Sequence, residues 1–251
     1  MISYDFPLNE RMRTLLRLED LYAKLLCFTE RSSVIDHHSA LNVLFEVLEV
    51  ASRSDLKSDL LQELERQKRQ LSALHNNPEI SELALDAVLD EIESASSGVL
   101  SMNGKIGQHL RENEWLMGIK QRAGIPGGTC EFDLPSYHHW LHQDVLVRRN
   151  YLKTCLAPML PIFDGLAIIL KLLRESGKVH HYIASQGSFQ QMQCGRVAQM
   201  LRVSVDKALP CVPEVSANKY MLNIRFIAAD YAAKSALYDH GVAFNLTFCS
   251  L

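Results

Sequence analysis

The chain has 251 residues, of which 47% are hydrophobic and 22% are charged, and its formal net charge at pH 7 is −3. This length and composition predict a globular protein whose core is large enough to divide into two sub-domains. The slightly acidic balance argues against a nucleic-acid-binding protein, because phosphate backbones are normally bound by strongly basic domains. Any basic site is therefore expected to be a local patch.

The cysteines and apolar segments indicate a cytosolic protein. The six cysteines are scattered and form no Cys-x-x-Cys pair, which predicts reduced core thiols and not a disulfide framework or a zinc knuckle. Charged residues precede any long apolar run at the N-terminus, so the pattern of a signal peptide is missing. The apolar run over residues 160–173 is interrupted by Asp164 and Lys171 and is shorter than the ~20 residues that span a bilayer. We therefore expect no membrane partner.

Apolar residues recur at helical spacing through the first third of the chain and predict four amphipathic helices. Their expected starts are Asn9, Asp36, Ser54 or Asp55, and Pro78 after Asn77. On the first helix, Arg13 and Arg17 are four residues apart and Lys24 follows seven residues later. These three cations are expected to share one helix face. A stripe of this kind is typical of a solvated face as well as of a binding site.

The middle of the chain is predicted to turn sharply. Residues 94–104 are rich in Ser and Gly, which predicts a loop, and residues 106–111 and 114–122 are expected to form short helices. Gly124 and Pro126 are a helix-termination pattern, since Gly accepts the left-handed conformation and Pro cannot continue a helix. Alternating apolar and polar residues over 129–134 then predict a short strand.

The C-terminal part changes from helical to strand-like patterning. Helices are expected over residues 136–152 and 156–176, and residues 201–206, 220–226 and 242–248 alternate as half-buried antiparallel strands do. The chain is therefore predicted to be an α+β protein with a helical domain over residues 1–128. Residues 129–251 are expected to hold two further helices, at about 136–176, and a smaller antiparallel β-strand domain formed mainly by the C-terminal third.

The histidines raise the possibility of a metal site. His138 and His142 are four residues apart on a predicted helix, a spacing that can place two imidazoles on one zinc ion. The zinc-protease motif also requires Glu beside the first His, and His139 stands there. Only Cys130 or Asp133 could be a third ligand, so a zinc-dependent hydrolase is kept as the alternative function. The phosphate-loop, dinucleotide and nucleophile-elbow motifs do not occur, which favours a protein without enzymatic activity or a cofactor.

Basic residues occur before residues 125–142, at the end of this segment and after it. They are Lys105, Arg111, Lys120, Arg122, His138, His142, Arg148 and Arg149. The planar fork of Arg donates two parallel hydrogen bonds to a carboxylate, so this set of cations predicts an acidic protein partner. Scattered solvated charge is the alternative explanation.

Several strings, in one order along the chain, resemble the ZapD family. They are PLNERMRTLLRLE at 7–19, IGQHLRE at 106–112, QRAGIPGG at 121–128, FDLP at 132–135 with His138 and WLH at 140–142, and NIRF at 223–226. The resemblance covers the chain from its N-terminus to about residue 142, with the last string near its end. So many strings in a fixed order make the resemblance specific.

The resemblance implies a non-enzymatic cytoplasmic protein that binds the C-terminal tail of the tubulin-like FtsZ. As a symmetric homodimer it would cross-link FtsZ filaments into bundles at midcell and support Z-ring assembly and septation. It also implies a helical domain joined to a β-strand domain. Carried over by position, the tail-binding residues would be Arg13, Arg17, Arg111, Arg122, His138 and Arg225. Glu114 stands where some members of the family have a basic residue, which leaves the boundary of the basic pocket open.

Overall fold

The computed structural model describes residues 1–52, 55–75, 77–78, 80–192, 198–230, 232 and 236–250. Cys194, one of the predicted core thiols, and Ser54, one predicted helix start, lie outside these ranges. The fold is α+β, as predicted, and it divides into two compact units. Unit 1 contains residues 1–13 and 170–251, and unit 2 contains residues 14–169. The predicted domain boundary at residue 128 falls inside unit 2.

The helices follow one another through the N-terminal and central parts of the chain. They are α1 (Glu10–Glu30), α2 (Val34–Ser52), α3 (Leu56–Ser72), α4 (Glu82–Ser101), α5 (Gln108–Arg111), α6 (Glu114–Ala123), α7 (Pro135–Leu141), α8 (Val145–Leu156), a 3-10 turn (Ala157–Met159) and α9 (Leu160–Glu175). The predicted cap of α1 is confirmed, because Asn9 Oδ1 accepts a hydrogen bond of 2.8 Å from the backbone N–H of Met12.

A buried arginine holds the loops of unit 2 together. The Arg148 guanidinium donates to His37 Nδ1 (2.9 Å), to the carbonyls of Leu141 (2.5 Å) and Gln143 (2.8 Å), and to the carbonyl of Ser32 (3.0 Å). His37 is also buried, and its other ring nitrogen donates to the carbonyl of Arg31. Arg148 thus donates to the carbonyl of the last residue of α7 and to one carbonyl in each of the loops that follow α1 and α7.

Several local predictions are wrong. The fourth helix begins at Glu82 after the N-cap Ser81 and not at Pro78. Gly124 ends α6 in the right-handed conformation (φ −76°) instead of the left-handed one. Residues 94–101 belong to α4 and not to a loop, because Ala95 and Val99 are buried along its inner face. The predicted helix over 136–152 is two helices, since Asp144 caps α8 by accepting a hydrogen bond from the N–H of Leu146. Residues 129–134 form turns instead of a strand, with local bonds such as that from the Leu134 N–H to the Cys130 carbonyl.

Unit 1 contains two antiparallel sheets. The strands are β1 (Ile2–Pro7), β2 (Val179–Ala184), β3 (Ser188–Met192), β4 (Met200–Val205), β5 (Cys211–Ala217), β6 (Met221–Ala228) and β7 (Val242–Cys249). One sheet has the order β1-β4-β7-β2 and the other β3-β6-β5. The predicted strands near the C-terminus are confirmed as β4, β6 and β7, and their alternate residues form the core of this unit. The sequence reasoning missed β1, which pairs with β4 from Ile2 opposite Val205 to Pro7 opposite Met200.

The segment Val145–Glu175 is apolar and long enough to cross a membrane, by length and composition alone. The apolar window inside it is 56% buried in the structure, which is the behaviour of a core helix. Asp164 and Lys171, the two charged residues that interrupt the apolar run over residues 160–173, both lie within α9.

Candidate functional site

A groove of about 750 Å³ opens in unit 2 between α1, α2 and the end of α6. Leu21 and Phe45 are buried and form its apolar floor. Its rim carries three cations and three carboxylates, which are Arg17, Lys24, Lys120, Asp20, Glu46 and Glu49. On α1, the residues Arg17, Asp20, Leu21 and Lys24 follow the i, i+3, i+4, i+7 spacing, so one helix face supplies both floor and rim. We call this feature the α1–α2–α6 groove.

Two of the three groove cations already have internal partners. Lys24 Nζ lies 2.5 Å from Asp20 Oδ2, and Lys120 Nζ lies 2.5 Å from Glu49 Oε1. The hydrogen bond that Lys24 donates to Asp20 raises the pKa of Lys24. Arg17 is exposed and makes no hydrogen bond or ion pair with any residue that the structure describes. Its guanidinium is therefore the groove cation that is available to a carboxylate from another molecule.

Arg13, one turn before Arg17 on α1, is engaged with a neighbour. Its Nε lies 3.0 Å from Glu10 Oε1, and the side chains are 43% exposed for Arg13 and 85% exposed for Glu10. An exposed pair of this type contributes little free energy and exchanges readily with solvent or another anion. Arg13 belongs to unit 1, and its part in tail binding stays a prediction.

Arg111 has a structural role in unit 2. Its Nη1 donates to the carbonyl of Ile106 (2.6 Å), and its Nη2 donates to the carbonyl of Leu48 on α2 (3.2 Å). Lys57 and Lys105 line a pocket beside it. At least two of the guanidinium N–H groups therefore stabilise the fold, and the assignment of Arg111 to a tail-binding site stays a prediction.

Arg122 and His138 lie on either side of the turn segment, which we define as residues 125–134. Arg122 Nη1 is 3.5 Å from Asp133 Oδ1, and His138 Nδ1 is 3.9 Å from Glu131 Oε2. Both predicted site residues are thus next to carboxylates of the same short segment. The sequence placed these cations near one another, and the structure shows the turn that joins them.

Arg225 lies on β6 in unit 1 and has an exposed side chain. In the sheet register it stands opposite Glu214 on β5 and Ser188 on β3. Its contribution to tail binding stays a prediction, as it does for the other five residues.

The donors for a zinc-dependent hydrolase do not come together. The rings of His138 and His142 have centroids 4.3 Å apart, and His142 Nδ1 donates to the carbonyl of His138 (2.9 Å). Across the described ranges, no group of three or more His, Cys, Asp or Glu side chains is placed to hold a metal ion. Cys130 and Asp133 therefore do not complete a zinc site with this histidine pair.

The structure adds residues that the sequence reasoning left out of the site. Lys24 and Lys120 were both recognised as cations, but the groove places them on one rim with Arg17. Phe45 and Asn42 come from α2, whose sequence carried no sign of a binding role. The spacing of Arg13, Arg17 and Lys24 on α1 is the one sequence signal that could have predicted this surface.

Comparisons with known proteins identify the family of this chain. The ZapD family model, described as a cell division protein, matches residues 16–225. A cell division protein ZapD of Azoarcus sp. (strain BH72) is 56% identical over 251 residues, which is 100% of both chains. One of Chromobacterium violaceum is 56% identical over 99% of each chain, and one of Nitrosomonas europaea is 51% identical over 100% of this chain and 96% of its own. The chain therefore belongs to the ZapD family of cell division proteins.

Proposed function

We propose that this cell division protein is a non-enzymatic cytoplasmic cross-linker that binds the C-terminal tail of FtsZ at midcell. Each protomer of a homodimer would hold one tail, and the dimer would bundle filaments and support Z-ring assembly and septation. The observation that carries this proposal is the exposed, unpaired guanidinium of Arg17 on the rim of a large groove, among the described residues. Family membership and the sequence resemblance support FtsZ as the partner.

The chemistry of the groove suits a peptide that carries carboxylates. Arg17 can donate two parallel hydrogen bonds to one carboxylate, and no internal bond among the described residues has to break first. The partners of Lys24 and Lys120 are exposed, with 61% of the Asp20 side chain and 51% of the Glu49 side chain accessible. Such pairs are worth little, so a tail carboxylate can replace them at small cost.

Bundling follows from bivalency. A symmetric dimer carries two equivalent grooves, so it can hold tails from two filaments at once. Filaments present many tails, and the second attachment of a dimer gains strength from the high effective concentration. Weak individual contacts are therefore sufficient for stable bundles.

The test is a titration of a fluorescein-labelled FtsZ tail peptide, followed by pelleting of FtsZ filaments. Arg17→Glu should abolish bundling and weaken peptide binding, while the dimer persists in light scattering. Arg69→Glu is the matched control, because the Arg69 side chain is 73% exposed on α3 and its ion pair among the described residues is with Glu65 of the same helix. Unchanged bundling by Arg17→Glu would refute the groove as the binding site.

The remaining predicted residues are expected to contribute less than Arg17. Arg13, Arg122 and His138 each face an internal carboxylate, so part of their interaction with a tail replaces one that already exists. Binding should weaken as salt rises, since exposed charges are screened within about 8 Å at physiological ionic strength. Peptide binding that is insensitive to salt would count against an electrostatic site.

A further inference from the structure

We propose that Phe132 is the apolar anchor of the tail-binding surface, and that its ring contacts an apolar side chain of the same acidic FtsZ tail. The inference rests on the proposed function and adds a specificity-determining residue to it. The basic residues alone would bind any acidic peptide, whereas an aromatic contact selects a peptide in which apolar and acidic residues stand at a fixed spacing.

Phe132 is unusually exposed for an aromatic residue. Its side chain is 80% accessible, and Ile125 at the other end of the turn segment is 50% accessible. A single exposed apolar residue needs no explanation by itself. The argument therefore depends on how the segment holds the ring and on what surrounds it.

The backbone of the turn segment, which carries the Phe132 ring, is held by internal hydrogen bonds. Hydrogen bonds run from the N–H of Gly128 to the carbonyl of Ile125 (2.9 Å) and from the N–H of Asp133 to the carbonyl of Cys130 (3.1 Å). Gly128 is buried, and an added Cβ would lie 2.5 Å from the Arg122 carbonyl oxygen. The backbone around Phe132 is thus already ordered, so binding loses little conformational entropy there.

Both sequence neighbours of Phe132 touch predicted tail-binding cations. Glu131 lies 3.9 Å from His138, and Asp133 lies 3.5 Å from Arg122. The aromatic ring therefore stands between two carboxylates, and each of them faces one basic side chain. A peptide that places an apolar residue on the ring brings its neighbouring carboxylates within reach of these cations. The carboxylates of the peptide would replace Asp133 and Glu131 as the partners of Arg122 and His138.

The turn segment follows the lining of the α1–α2–α6 groove directly along the chain, and Asp133 near its other end lies 3.5 Å from Arg122 of α6. Ala123 and Gly124 line one end of that groove, and Ile125 is the next residue of the chain. An extended peptide that leaves the groove past Gly124 therefore reaches the turn segment. Two apolar side chains are too small for a dimer interface, because a buried Phe covers about 150–250 Å² and stable interfaces need about 1,200 Å² or more. A peptide is the occupant that fits.

The experiment measures the Kd of a fluorescein-labelled FtsZ tail peptide for four forms of the full chain at low and high salt. These are the unmodified chain, Phe132→Ala, Phe132→Leu and the control Leu83→Ala, whose replaced side chain is 83% exposed on α4. Phe132→Ala should raise the Kd about tenfold, by the same factor at both salt concentrations. Phe132→Leu should recover most of the affinity, and Leu83→Ala should leave it unchanged.

A second arm identifies the contact as apolar. A tail peptide whose apolar residues are replaced by Ser should bind the unmodified chain more weakly than the original peptide does. The two peptides should bind Phe132→Ala with nearly equal affinity, because this variant has already lost the apolar contact that the Ser peptide lacks. Arg17→Ser should behave differently, with a loss that shrinks as salt rises.

Each outcome decides between the two proposals. If the unmodified chain binds the tail and Phe132→Ala binds equally well, the anchor is refuted and the proposed function stands. If the unmodified chain does not bind the tail, the proposed function fails and the anchor fails with it. If Phe132→Ala loses affinity and also becomes monomeric in light scattering, the ring belongs to a contact between copies of this chain and the anchor is wrong.

Discussion

Replacing the buried Arg148 by Met should destabilise the helical unit strongly. The Arg148 side chain is 5% exposed and donates to four acceptors on three stretches of unit 2. Methionine fills a similar volume but has no donor. Each acceptor that loses its only partner in a buried position costs about 1–3 kcal/mol. Ser32 and Gln143 are not fully buried and can bind water instead, and the variant no longer has to desolvate a charge. We therefore expect a loss of about 3 kcal/mol in the free energy of unfolding.

Urea unfolding followed by tryptophan fluorescence tests this directly. The chain has two tryptophans, Trp115 and Trp140, and both lie in unit 2 with ring centroids 5.8 Å apart. The signal therefore reports the unit that contains Arg148. A change in midpoint at constant slope measures the change in stability.

Arg69→Met is the control, because the Arg69 side chain is exposed and should change stability by less than about 0.5 kcal/mol. A loss below about 1 kcal/mol for Arg148→Met would mean that water or another side chain replaces the guanidinium. In that case the account of Arg148 as the link between these loops is wrong.

Three further predictions concern pH and the turn segment. Burial, together with the charge of nearby arginines, lowers the pKa of His37, so the unfolded chain binds a proton more readily and stability should fall as pH drops below about 6.5. Urea midpoints across this range should show a smaller acid dependence for His37→Gln, and an equal dependence would exclude His37 as the cause. Replacing Glu131 and Asp133 by their amides removes two internal competitors for the basic residues, so tail affinity should rise about two- to threefold in the peptide titration; a fall would contradict competition. Gly128→Ala should cost about 1–3 kcal/mol and weaken tail binding, because its Cβ would meet a backbone carbonyl at 2.5 Å. Gly118→Ala, with nothing within 4 Å of the added carbon, should do neither.

The regular elements were predictable where periodicity and capping agreed. Asn9 and the apolar spacing after it located α1, and the alternation of buried residues located β4, β6 and β7. The prediction of a strand over 129–134 was wrong because alternating apolar residues indicate a strand only when they form one buried face. Here Phe132 is exposed to solvent, and the backbone hydrogen bonds connect residues within the turn. The end of α4 was predicted as a loop from its Ser and Gly residues. These residues indicate a loop only when the buried face of the preceding helix ends before them, and here Ala95 and Val99 continue that face.

The candidate site was predictable in composition but not in detail. Spacing on one helix showed that Arg13, Arg17 and Lys24 share a face. Whether a cation is available depends on partners far away in sequence, such as the Leu48 carbonyl that binds Arg111 across 63 residues. No local pattern records such a contact. Only the structure could therefore show that Arg17 makes no ion pair with another described residue. The same holds for the exposure of the Phe132 ring.

The strand order of unit 1 has a consequence for synthesis. β7 is made after every other described strand, yet it lies between β4 and β2 in its sheet. Residues 14–169 leave the ribosome before residues 170–251 and can fold while the strand that pairs with β1 has not yet been made. Until residue 249 has emerged, the sheet lacks an inner strand and β4 has an open edge that can pair with another chain. The nascent protein is thus more prone to aggregate than the finished one, and translation that stops short of β7 should yield a folded helical part with an unfinished sheet.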